Sequence, residues 1–333
     1  MTPDRVFRHL SLGGWSLVVL SAFGGFGEVS AQSFPSSTIR IVAPTGAGGF
    51  PDVMSRIIAN ELAESEGWRV VIENRPGALS TIAMADVLKQ PADGHSIFPM
   101  TVGSIATPAL LPDAGLRLES DFVPVVKISS SYTALVVTPS LPARSTAELV
   151  SLLKSQPDKF NISAGGFGTP SHLLGEVFKL QTGVRATVVP YQQVQQRLSD
   201  LLSGTTHFAF YNTAAVVNLI AAGKLRALAV TAPKRVVSLQ NVPTIAEQGF
   251  PDMVAPGEDW LGFLVKRGTP EPILERLNRA VNKALIKQNV RDAYATLGAE
   301  PVGGPPTEFG SLIKSQLAYW DNVVKQAGIK MQH

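Results

Sequence analysis

The chain of 333 residues contains no cysteine. Disulfides, thiolate metal ligands, cysteine nucleophiles and a lipidated N-terminal cysteine are all excluded. Charge is scarce as well: Asp, Glu, Lys and Arg make up 17% of the sequence, 29 basic against 26 acidic, for a net charge of +3. The basic residues are scattered rather than gathered in a stripe, so no nucleic-acid partner is expected. Histidines number five, and no H-E-x-x-H, H-x-H or G-x-S-x-G spacing occurs. No metal site, no cofactor and no catalytic residue is expected, and Glu258 with Asp259 reads as solvated loop charge rather than an acid–base pair.

Long apolar runs are missing too, except at the start. Arg5 and Arg8 precede an apolar stretch from Leu10 to Phe26, and Val29-Ser30-Ala31 offers the small residues a signal peptidase reads. A cleaved signal peptide over residues 1–31 is expected, with Gln32 as the first mature residue. An uncleaved anchor is the alternative, but the run is glycine-rich and short of the roughly 20 apolar residues a span needs. Export without disulfides fits a bacterial periplasm.

What is present is a strand–helix rhythm. Thr38–Ala43, Trp68–Glu73, His95–Thr101, Leu135–Thr138, Phe160–Ser163, Ala186–Pro190 and Phe208–Tyr211 read as strands. Between them Asp52–Glu64, Ser80–Lys89, Thr146–Gln156, Ser171–Thr182 and Gln193–Ser203 read as helices. Three more helices are expected at Pro272–Ile286, Gln288–Leu297 and Thr307–Lys325. Such alternation predicts an α/β protein with a mostly parallel sheet covered by helices on both faces.

Two glycine-rich loops each follow a strand and open a helix: Pro44–Pro51 and Ala164–Pro170. They lie about 120 residues apart, a spacing that suits two domains. Neither is a P-loop, because Phe50 and Pro51 stand where a lysine and a hydroxyl residue belong. A dinucleotide fingerprint fails at Pro51, although Glu73 lies where that fingerprint wants an acid. Each loop would aim backbone N–H groups and a helix N-terminus at an anion beyond the carboxyl ends of its strands. Asp52 would sit near a helix start, Thr169 or Ser171 would cap the second helix, and His172 would pack. Tyr191, Asn212 and Trp260 fall at strand ends, where they either line a cleft or serve as core and capping residues.

The residues then resemble a known family, the periplasmic solute receptors of the tripartite tricarboxylate transporter, or Bug proteins. The resemblance spans the mature chain and rests on an ordered set of blocks. These begin with Pro44–Asp52, Glu73-Asn74-Arg75-Pro76-Gly77-Ala78, Ala92-Asp93-Gly94, and Leu141-Pro142-Ala143 leading to Ala147-Glu148-Leu149. They continue with Gly165–Gly168 before Ser171-His172-Leu173, then Val189-Pro190-Tyr191 and Gly223–Val230, and end with Val242–Glu247 and Gly298–Pro301.

The resemblance implies a type II periplasmic-binding-protein fold: two α/β domains with a ligand cleft between them. One domain would hold residues 32–130 and 255–333, the other 131–254, closing about segments near Ile128–Tyr132 and Val254–Trp260. It implies a monomer that takes a small organic acid and hands it to membrane components of the transporter or to a sensor kinase; an exported enzyme acting on such an acid is the alternative. The implied ligand residues are Thr45, Gly46, Ala47, Gly48, Gly49 and Asp52 on one lobe, with Ser163, Ala164, Gly165, Gly166, Thr169 and Ser171 on the other. Thr101, Ser104, Tyr191, Asn212 and Thr213 would complete the wall. The chain departs from the family's pattern at Phe50-Pro51 and at Gln192-Gln193-Val194, where the family carries a lysine. With aromatic Phe50 and Phe167 beside the two loops, either a less charged or more aromatic ligand is expected, or the two rings face away from the cleft.

Overall fold

Strand β1 (Ile39–Ala43) turns Ile39 and Ile41 to one face and Val42 to the other, all fully buried, with partly buried Arg40 the one charged residue among them. It opens a computed structural model that describes residues 34–254 and 256–329. The expected signal peptide, Gln32, Ala255 of the second crossing segment and His333 lie outside the described residues. The chain continues through α1 (Phe50–Glu66), β2 (Val70–Asn74), α2 (Thr81–Lys89) and β3 (Ser96–Thr101). Three one-turn helices, α3 (Val102–Ile105), α4 (Thr107–Leu110) and α5 (Leu118–Asp121), lead into the long strand β4 (Phe122–Val137). Next come α6 (Thr146–Ser155), β5 (Asn161–Gly165), α7 (Pro170–Thr182), β6 (Thr187–Tyr191), α8 (Val194–Ser203), β7 (Phe208–Asn212), α9 (Thr213–Ala221) and β8 (Arg226–Val230). Then β9 (Glu258–Lys266) precedes α10 (Glu271–Leu285), α11 (Gln288–Thr296), β10 (Ala299–Pro301) and α12 (Pro306–Ala327).

The sheet runs β2-β1-β3-β9-β4-β7-β5-β6, with β8 and β10 also on β4. It is parallel within each wing, where β1 joins β2 and β3, and β5 joins β6 and β7. Its centre is antiparallel, which corrects the expectation of a mostly parallel sheet. The reason is β4. Residues 122–132 pair with β9, whereas 133–137 pair with β7 and β8, so one strand serves both wings. The second crossing is tied to it: Thr231 Oγ1 donates to the Gly257 carbonyl at 2.7 Å and accepts from the Thr133 N–H at 3.0 Å.

Helices cover both faces. The stripe Leu274, Leu277, Ala280, Val281, Ala284 and Leu285 of α10 has helical spacing and joins Met54 and Ile58 of α1 over Ile41, Leu261 and Phe263. On the other face α12 lays Phe309, Ile313 and Trp320 on a cluster that reaches from Val42 and Phe98 to Ile162 and Phe208. That helix packs on both wings. Among the described residues no helix is long and apolar enough to cross a membrane.

Candidate functional site

The first glycine loop leaves the carboxyl end of β1. Its turn closes with Gly49 N–H on the Gly46 carbonyl at 3.1 Å, and Gly48 takes a φ of +82°, where a side chain would be strained. The Gly48 N–H donates to Asp52 Oδ2 at 2.8 Å. The other oxygen, Asp52 Oδ1, accepts from Arg56 Nη2 at 2.8 Å and Asn74 Nδ2 at 2.9 Å, and Asn74 Nδ2 also reaches the Thr45 carbonyl at 2.9 Å. Burial by itself raises the Asp52 pKa, but these hydrogen bonds outweigh it and hold the carboxyl below its ordinary value. Asp52 is only 1% exposed, so it acts here as the clamp that shapes the loop.

The second loop repeats this backbone. Thr169 N–H reaches the Gly166 carbonyl at 3.1 Å, and Gly168 has a φ of +74°. The Gly168 N–H donates to Nδ1 of His172, four residues on, as Gly48 does to Asp52. Burial pushes the His172 pKa down, which keeps the ring neutral and Nδ1 able to accept. Proline stands in the first turn of both helices, at Pro51 and Pro170. Among the described residues the N–H groups of Gly46, Ala47, Gly166 and Phe167 have no acceptor within the protein. Four donors at two helix N-termini are thus left for an anion or for water. Gly165 is different, because its N–H is taken by Ser171 Oγ at 3.0 Å. Ser171 therefore ties the loop, while Thr169, at the N-cap, makes no side-chain capping bond.

The other expected residues are distributed as follows. Thr101 and Ser104 form a capping box on α3, and Ser104 Oγ lies 3.0 Å from Ser80 Oγ. Ala164 is fully buried, and Ser163 Oγ is buried without a partner. Tyr191 donates its hydroxyl to Asp200 at 2.6 Å. Asn212 caps α9 by accepting from the Ala214 N–H at 3.0 Å, with buried Thr213 opening that helix. Phe50 packs on the core formed by β1, α1 and α10, and Phe167 stacks edge-on against His172 at 5.0 Å. Phe50 thus faces the protein body, whereas Phe167 remains exposed beside its loop. Trp260 is likewise a core residue, 1% exposed and edge-on to Phe309.

One segment escaped the sequence reading. Gly77 is followed by Ala78, Leu79 and Ser80 at φ values of 45°, 51° and 75°, three non-glycine residues in the left-handed region. Thr107 Oγ1 holds the turn by donating to the Leu79 carbonyl at 2.6 Å. The Leu79 side chain stands so close to Gly168 that a Cβ there would lie 2.5 Å from Leu79 Cδ2. Gly168 O is likewise 3.2 Å from where a Cβ on Gly103 would be. The loop of the second wing therefore touches the strained turn and α3 of the first, and strain of this kind gathers at functional sites. Only Pro76-Gly77 signalled a turn there in the sequence.

Residues 54–329 match the family described as tripartite tricarboxylate transporter family receptor. Protein BugT of Bordetella pertussis is 32% identical over 321 residues, which cover 95% of this chain and 97% of BugT. The solved structure of an R. palustris protein with adipate is similar at a TM-score of 0.77 and 36% identity, over 89% of this chain and 99% of that one. MatC from Rhodopseudomonas palustris with bound malate gives 0.74 and 30%, over 87% and 100%. The two-winged sheet crossed at β4 and β9 is the type II periplasmic-binding-protein fold. On sequence and on architecture alike, the chain belongs to the tripartite tricarboxylate transporter family of receptors.

Proposed function

We propose that this receptor captures a small carboxylate-bearing acid between its two glycine loops and releases it unchanged. The observation that carries the reading is the duplicated loop: the same turn, the same positive-φ glycine and free N–H groups at a helix N-terminus, once in each wing. A carboxylate bound by N–H groups is held more strongly once closure excludes water. Adipate and malate in the two R. palustris structures support an acid of this class. The binding surface is Thr45–Gly49 with Asp52 behind it, and Ser163–Gly166, Thr169 and Ser171 opposite, walled by Thr101, Ser104, Tyr191, Asn212 and Thr213. Residues 32–130 with 255–333 move as one body and 131–254 as the other, hinged where β4 changes partners and at the crossing before β9. The protein is exported to the periplasm by cleavage after Ala31, works as a monomer, and passes its ligand to the transporter's membrane components or to a sensor kinase.

The test is a thermal-shift screen of the purified protein against aliphatic and aromatic mono-, di- and tricarboxylates, followed by recovery of the bound acid. A ligand at a hundred times its dissociation constant adds about 2.7 kcal/mol of stability. A shift with an acid recovered unaltered supports the receptor, an altered acid supports an exported enzyme instead, and no shift with any acid overturns the reading.

A further inference from the structure

The second wing holds a buried cation that, among the described residues, makes no hydrogen bond to an acid. Arg197, on the inner face of α8, is 8% exposed. Its guanidinium stacks on the Tyr211 ring with Cζ 3.8 Å from the centroid. Nη2 donates to two carbonyls, Ser163 at 3.1 Å and Phe210 at 2.8 Å. These carbonyls lie where β5 and β7 part, for the strands pair only at Ile162–Phe208 and Ser163–Ala209. The guanidinium thus fills the gap at the carboxyl ends of the strands that carry the second glycine loop.

Among the described residues no carboxylate neutralises it. The acid on the next turn, Asp200, has Oδ2 taken by Tyr191 and Oδ1 by Gln196 Nε2 at 2.7 Å. Burial lowers the Arg197 pKa to about 10, the direction expected of a cation without an anionic partner. The residues that contact it also carry buried polar atoms left unsatisfied. Arg197 Nε, Ser163 Oγ and Tyr211 OH are all buried without a partner. Among the described residues Nη1 has no hydrogen-bond partner either. Buried polar groups are normally satisfied, and a guanidinium without a carboxylate beside two unsatisfied hydroxyls suits an anion. The neighbouring side chain, Gln192, lies 3.5 Å from where a Cβ on Gly166 would be, which puts this end of the wing beside the loop's free N–H groups.

We propose that Arg197 is a specificity-determining residue that receives, through Nη1, a second acidic group of the ligand, so that the receptor selects dianions over monoanions of the same length. The inference rests on the receptor reading above. A planar guanidinium already stacked and tied to two carbonyls is pre-organised, so it can hold a carboxylate without first ordering a free side chain.

The experiment is isothermal titration of the purified protein with adipate and with hexanoate, which share a six-carbon chain and differ by one carboxylate. The wild type is expected to prefer adipate at least tenfold. Arg197→Met should reduce adipate affinity at least tenfold and change hexanoate affinity less than threefold. A variant that weakens both acids alike, or neither, overturns the Arg197 assignment and leaves the receptor reading standing. Failure of the wild type to bind any mono- or diacid from three to eight carbons overturns both. Should Arg197→Met not fold by circular dichroism, Arg197→Lys decides, because it keeps the charge and a donor to the carbonyls. It should fold and retain part of the preference; a full, unchanged preference for adipate in a variant lacking the planar fork, or equal loss for both acids, overturns the assignment.

Discussion

The two glycine loops share a backbone but are locked by different chemistry. In each, a positive-φ glycine donates its N–H to a side chain four residues on, at the first turn of the following helix. In the first loop the acceptor is an ionised carboxylate, Asp52, which also gathers Arg56 and Asn74. In the second it is the neutral ring of His172, which has no other hydrogen bond among the described residues. The turn therefore needs an acceptor at that position, and the charge of that acceptor is negotiable. A carboxylate costs more to bury, so it comes with a retinue, and Arg56 offsets the negative charge that would otherwise repel an anion at the free N–H groups. An imidazole needs no counter-ion, so the second loop stays simple and leans instead on the opposite wing.

The sharpest way to break this symmetry is Asp52→Ala. It strands the Gly48 N–H and removes the anchor of Arg56 and Asn74, and hydrogen bonds to a charged group contribute about 1.5–3 kcal/mol each. We expect a loss of about 3 kcal/mol, a fall of roughly 6 °C in the unfolding midpoint at about 2 °C per kcal/mol, and loss of ligand binding. His172→Ala should cost clearly less, since it removes one long hydrogen bond and ring packing. Equal costs would mean that the loops are locked alike.

The next effect in size tests which loop carries the contact between wings. Gly48→Ala meets open space, so its cost is backbone strain alone, about 1–2 kcal/mol. Gly168→Ala adds a collision with Leu79 to the same strain. Its affinity for acids should fall further than that of Gly48→Ala, and Leu79→Ala in the same chain should restore the difference but not the strain. If Leu79→Ala restores nothing, Leu79 does not gate the approach of the wings.

Much of this was legible in the sequence, for identifiable reasons. The loops and the helices after them were readable because glycine, proline and an apolar stripe each force one geometry; α10, α11 and α12 begin and end within two residues of their expected bounds. β4 was legible only at its end. Pro124, Lys127 and Ser129-Ser130-Ser131 interrupt its apolar pattern, and it is irregular near Pro124 and Lys127, so two-residue alternation fails there. β9 was legible only through Trp260, placed at a strand end, because both of its faces are buried, which erases alternation. At the site, residue types were visible but partners were not. No local signal says that the Gly165 N–H is spent on Ser171, that Asp52 faces inward, or that Arg197 lacks a carboxylate. Those facts depend on which strands become neighbours.

The smallest expected effect separates the locks by pH. For His172 the folded pKa lies below the unfolded value of 6.5, because burial disfavours the imidazolium. Below that unfolded value the denatured chain binds the proton more readily, so stability declines as pH falls from 7, until the folded pKa is reached. Protonation also turns Nδ1 into a donor and removes the acceptor of the Gly168 N–H. Asp52 behaves differently, since its depressed folded pKa preserves its contribution until pH drops through the acidic range below 3.8. Between pH 7 and 5, then, the second loop weakens while the first does not. His207 is also lowered by burial and adds to the slope, so the comparison must be made against a variant. His172→Asn keeps an acceptor oxygen and cannot titrate. Unfolding midpoints of wild type and His172→Asn should converge as pH falls from 7 to 5, leaving in the variant the share of His207 and the opposing share of Asp259, whose carboxyl burial pushes up to about 7. Parallel profiles would mean that His172 does not govern the second loop's response to acid.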